Sequence, residues 1–80
     1  MVNVNEVIGV DGINIIPNRN DWYAVDVFIK RGETVLKIVY PYKNRETAQD
    51  LMDKIKRKEN KLPEPAYKPL VYIMNAGKVL

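Results

Sequence analysis

The chain has 80 residues, 13 Lys and Arg against 10 Asp and Glu, and a formal net charge of +3. That length holds one domain, 1–80, with a thin core and a stability of roughly 4–12 kcal/mol. It contains no Cys, His or Ser, so it has no disulfide, no cysteine-based zinc site, no Ser-His or Cys-His nucleophile and no imidazole proton shuttle.

The N-terminus, Met1-Val2-Asn3-Val4-Asn5-Glu6, lacks the basic start and apolar run of a signal peptide. No apolar stretch approaches the ~20 residues a spanning helix needs. The expected setting is the cytoplasm, without membrane attachment. Abundant Asn, Lys and Ile is the composition of an AT-rich genome. A phage, an archaeal virus or a low-GC bacterium would fit that composition, and for a viral gene the expected setting is the host cytoplasm.

The first expected element is a hairpin. Val7-Ile8-Gly9-Val10 and Ile13-Asn14-Ile15-Ile16 flank Asp11-Gly12, the pair that supplies positive φ to a two-residue turn. Val10 would pair with Ile13, and Ile8 with Ile15. Pro17 then ends the strand, and 18–21 reads as a polar loop.

A second hairpin follows, Trp22 to Ile29 and Thr34 to Tyr40, through Lys30-Arg31-Gly32-Glu33. Pairing Ile29 with Thr34 sets Val27 against Leu36, Val25 against Ile38 and Tyr23 against Tyr40, all on one face. Asp26 would face Lys37 on the other. That other face also carries Trp22, Ala24, Phe28, Val35 and Val39. A sheet with one wet face alternates more cleanly. The N-terminal hairpin, the C-terminal strand, another copy or a partner is expected to cover it.

Pro41 closes the strand, and a helix begins with Asn44 as N-cap and Glu46 in its first turn. Ala48, Leu51, Met52 and Ile55 form one apolar stripe. Asp50–Lys54 and Asp53–Arg57 are i,i+4 pairs. The helix should end near Lys58 to Asn60. Leu62 to Pro69, with three prolines, is an extended connector. Leu70-Val71-Tyr72-Ile73-Met74 is the last strand, Asn75 to Lys78 a turn, and Val79-Leu80 the end. The expected fold is α+β: an antiparallel sheet of four to five strands, two N-terminal hairpins plus a C-terminal strand, with one amphipathic helix on one face.

Two groups of residues are candidates for function. Trp22, Phe28, Val35 and Val39 are candidate partner contacts, although Trp22 and Phe28 would serve equally as core. Lys30, Arg31, Lys54, Lys56, Arg57, Lys58 and Lys61 could hold phosphates, with strand aromatics beside them to stack bases. Lysines at a helix C-terminus also suit the helix dipole alone. Asp11, Asp21 and Asp26 match no calcium-loop spacing, and Gly9, Gly12, Gly32 and Gly77 form no phosphate loop. No cofactor or metal is expected. The expected function is therefore a small non-enzymatic binding or inhibitor protein acting on another macromolecule, with a protein partner or a homodimer through the Trp22/Phe28 face or the Leu70–Met74 edge. The alternative is a nucleic-acid-binding module.

Overall fold

The best-specified part of the chain is the pair Tyr23–Arg31 and Thr34–Tyr42, here β2 and β3. In the computed structural model, which describes residues 3–16, 18 and 21–74, they form a hairpin around Gly32-Glu33. Arg31 pairs with Thr34, and Gly32 has a φ of 59°. Glycine at the first position of a two-residue turn is what a type II′ turn takes.

The observed register differs from the expected one by two residues. Ile29 faces Leu36, Val27 faces Ile38, Val25 faces Tyr40 and Tyr23 faces Tyr42. A shift of two leaves every side chain on its expected face, so the hydrophobic pattern cannot distinguish the two registers. The tighter turn decides it. Asp26 is consequently opposite Val39, and the expected Asp26–Lys37 pair does not form.

Pro41 does not close the strand, because it lies inside β3 opposite Ala24. Its carbonyl accepts from the Ala66 N–H at 2.8 Å, on the side away from β2. An antiparallel residue turns its N and O to the same side. The missing proline N–H is therefore not needed by the sheet.

The N-terminal hairpin is replaced by one long strand, β1, Val7–Ile15, antiparallel to β2. Among the described residues the sheet has four strands, the lower of the four to five expected, and no fifth. Asp11-Gly12 makes no turn, and Gly12 has no positive φ. Instead, β1 shifts register once between Val7 and Gly9 and again between Val10 and Ile13. Each shift is one extra residue, as in a β-bulge. The reason is in the spacing. Val7, Val10 and Ile13 recur every third residue and cannot share a face of a regular strand. With one extra residue in each interval, all three pack against the core. Local hydrogen bonds hold the second bulge: Gly12 N–H donates to Asp11 Oδ1, and Asn14 Nδ2 donates to the Gly12 carbonyl, each at 3.2 Å.

The fourth strand, β4, Leu70–Met74, adds antiparallel to β3, giving the order β1-β2-β3-β4. The one helix, α1, Arg45–Lys56, ends slightly earlier than expected, with Lys58 at a φ of 61° beyond its cap. Ala48, Leu51 and Ile55 are buried on Val25, Val27, Ile29, Ile38, Tyr40 and Tyr42, and Met52 packs beside them. Asp50–Lys54 forms at 3.4 Å. Asp53–Arg57 does not, because Arg57 pairs with Glu59 at 2.7 Å. Val4, in a short 3-10 turn ahead of β1, is also buried. Residue 17, and the turn and chain end read at 75–80, lie outside the described residues.

Asn44 caps α1 by accepting from the Thr47 N–H at 2.9 Å. Asn44→Ala leaves that donor without its partner and should cost about 1 kcal/mol. In a domain of this size the melting temperature falls by roughly 4–8 °C per kcal/mol. An unchanged melting temperature would show that water replaces the cap without loss.

Candidate docking surface

Because α1 occupies one side of the sheet, the alternate residues of every strand face the other. Side chains directly opposite each other in the ladder share a face. The register therefore lays out the helix-free face row by row. One row runs Gly9, Phe28, Lys37 and Tyr72. On one side of it lie Lys30, Val35 and Met74, and on the other Asp26, Val39 and Leu70. Beyond these come Asn14, Ala24 and Pro41, with Trp22 just ahead of β2.

The four expected contact residues, Trp22, Phe28, Val35 and Val39, are therefore brought onto one face and are half-buried. Sequence reasoning offers the Leu70–Met74 edge as a separate dimer contact but does not place its side chains on this face. Leu70, Tyr72 and Met74 extend the same face and are exposed. The signal was present, since Leu70–Met74 contains no charged side chain for solvent. Neither terminal strand folds over the face. β1 and β4 widen the sheet instead.

The face has both shape and charge. At its Pro41 end, Trp22, Ala24, Val39, Pro41, Tyr67 and Leu70 line an open apolar cleft of about 350 Å³, with Lys68 at the rim. Two ammonium groups lie over its aromatics: Lys43 Nζ is 5.5 Å from the Trp22 ring centroid, and Lys37 Nζ is 5.1 Å from that of Tyr72. Each is within cation–π range. Such contacts hold exposed aromatic rings in one orientation.

The basic residues meet differently. The Val4 N–H donates to Asn60 Oδ1 at 3.3 Å, and Arg31 donates to the Glu6 carboxylate, its Nε lying 3.2 Å from Oε2. The N-terminal turn thereby brings the Lys30-Arg31 hairpin tip and the end of α1, with Lys54, Lys56, Arg57, Lys58 and Lys61, to the same end of the molecule. Three of these cations already face carboxylates: Arg31 with Glu6, Lys54 with Asp50, and Arg57 with Glu59. The Arg57 guanidinium holds the Glu59 carboxyl below its ordinary range, chiefly by hydrogen bonding. The patch is mixed in sign.

Among the described residues, no group of three or more Asp or Glu is placed to hold a metal ion, and no helix is long and apolar enough to cross a membrane. The architecture is a four-stranded antiparallel sheet with one helix, an α+β fold. No family model, curated protein or solved structure matches the chain.

Proposed function

We propose that this is a non-enzymatic binding domain that docks a protein partner through the helix-free face of its sheet. One observation carries the reading: among the described residues no element covers Trp22, Phe28, Val35 and Val39, and β4 continues them with more exposed apolar side chains. Small soluble domains rarely leave such a contiguous patch open unless it contacts something. Asp26, Lys30 and Lys37 lie within it and would give a partner orientation. The lack of Ser, Cys and His supports binding rather than catalysis. Occupying another macromolecule's surface is also how an inhibitor acts, and a virus-encoded inhibitor in a host cytoplasm is the biological form we favour.

Nucleic-acid binding is the second reading. It is supported by the convergence of the hairpin tip with the basic helix end, and weakened by the carboxylates facing Arg31, Lys54 and Arg57.

The test is the double substitution Trp22→Ser, Phe28→Ser. Both residues are half-buried and outside the helix-side core, so far-UV circular dichroism should stay that of the folded chain. Association with a purified protein partner should weaken roughly a thousandfold, since buried aromatic anchors contribute about 2 kcal/mol or more each at the centre of an interface. Unchanged association by the folded variant would remove this face from the contact.

A further inference from the structure

We propose that a second copy of this chain docks on β4 edge to edge, joining the two sheets into one. The inference goes beyond the protein-binding reading above: it adds a contact between two copies at the sheet edge and leaves the helix-free face to the partner of that reading.

The two edges of the sheet are unlike. β1 is interrupted by two bulges, and Asp11 lies within one of them. Bulges and charges are the devices that keep an edge strand from pairing. β4 has neither. Leu70–Met74 contains no charge and no proline, and its register with β3 is unbroken over five pairs. Both its faces are open: Val71 is 58% exposed and Ile73 66%, on the helix side, while Leu70, Tyr72 and Met74 are exposed on the other. Among the described residues no strand lies beyond it.

What selects a second copy is self-complementarity. An antiparallel pairing about a two-fold axis through Tyr72 sets Leu70 against Met74 and Val71 against Ile73, with Tyr72 facing its own counterpart. Every position then meets an uncharged side chain, and the interface closes with itself as a two-fold dimer requires. Charge does not oppose the union. Lys68 lies ahead of the strand, and the lysine beside β4 in the ladder is Lys37, over the Tyr72 ring. Its counterpart would lie three strand spacings away, about 14 Å. That exceeds the ~8 Å screening length at physiological salt.

The helix side supplies more to bury. α1 stops short of β4, leaving a groove of about 280 Å³ between Leu36, Ile38, Pro69 and Val71, with Arg31 also in its lining. The two-fold axis is perpendicular to the sheet, so both helices stay on one side. The second copy's Ile73 then comes beside Val71, at the mouth of this groove. The two helix-free faces merge into one surface twice as wide.

The test uses the full chain in sedimentation equilibrium and a thiol scan. The wild type should move from 9.3 kDa toward twice that mass as concentration rises. Ile73→Lys changes an exposed side chain, so its circular dichroism should be unchanged. It places two lysines in the contact and should weaken dimerisation roughly tenfold or more. The chain has no cysteine, so a single introduced thiol reports its own neighbours. Tyr72→Cys should give a covalent dimer on mild oxidation, while Trp22→Cys should not. A wild type that stays monomeric up to about millimolar concentration would overturn self-docking at the edge without bearing on the partner proposed for the helix-free face. Crosslinking through Trp22→Cys but not Tyr72→Cys would overturn the edge geometry while supporting face-to-face docking.

Discussion

Leu51→Ala is expected to lower the unfolding free energy by about 3 kcal/mol, read as a shift in the urea midpoint with little change in slope. Leu51 is 0% exposed and sits between Ala48 and Ile55 on the buried stripe of α1. It belongs to one buried cluster with Val25 and Val27 of β2 and Ile38 of β3. Among the described residues α1 is the single α-helix on this face, and the strands below are held by their ladders. Nothing nearby is free to move into the space a shortened side chain leaves, so the cavity persists. A loss of this size is a quarter or more of the roughly 4–12 kcal/mol available to a chain of this length. Met52→Ala is the internal comparison, because Met52 only packs at the margin of the same cluster. It should cost less than half as much. Equal and small losses from both would mean that the stripe does not bury its centre as described.

The stripe was readable from sequence because helical periodicity and an Asn cap are both local signals. Ala48, Leu51 and Ile55 are buried, and Asn44 caps. The faces of β2 and β3 were readable for the same reason: alternation places Val25, Val27 and Ile38 on one side whichever even register is used. The register itself was not readable, since it depends on whether the loop is two residues or four. Only the positive φ of Gly32 and the Arg31–Thr34 pair resolve that. β1 was misread because Asp11-Gly12 is a strong hairpin signal in isolation. What overrode it is tertiary. Val7, Val10 and Ile13 all gain burial against the core when the strand bulges, and a hairpin would have turned some of them away.

The candidate site divides along the same line. That Trp22, Phe28, Val35 and Val39 share a face follows from parity within two adjacent strands. That Leu70, Tyr72 and Met74 continue it follows only once β4 is known to lie beside β3 rather than beside β1. Sequence order does not decide this, because the proline connector could reach either edge. The meeting of the hairpin tip with the end of α1 was less accessible still. It depends on the Val4–Asn60 bond, which spans 56 residues.

That connector is also where stability should depend on alkaline pH. Tyr42 is 1% exposed, and its hydroxyl donates to the Pro63 carbonyl at 2.9 Å. Burial first, then the charges of Tyr40 and Asp50, pushes its phenol above the ordinary tyrosine range, and burial raises Tyr40 as well. Below pH ~10 both phenols keep their protons folded or unfolded, and their contribution is fully present. Above it the unfolded chain loses those protons while the folded chain keeps the Tyr42 proton, so stability falls as pH rises toward the folded value. Each tyrosine that stays protonated costs up to ~1.4 kcal/mol per pH unit in that window. Tyr42 alone should therefore remove about 1.4 kcal/mol by pH 11, with Tyr40 adding to it. Tyr42→Phe should be about 1 kcal/mol less stable at pH 7, having lost the bond to Pro63, yet decline less steeply above pH 10. Urea unfolding of both proteins at pH 7, 10 and 11 measures the two slopes. Parallel declines would show that Tyr42 titrates freely in the folded chain. A steeper wild-type decline would place the ionising group at the joint between β3 and the connector that carries β4. Loss of that joint frees the edge strand and its docking surface together.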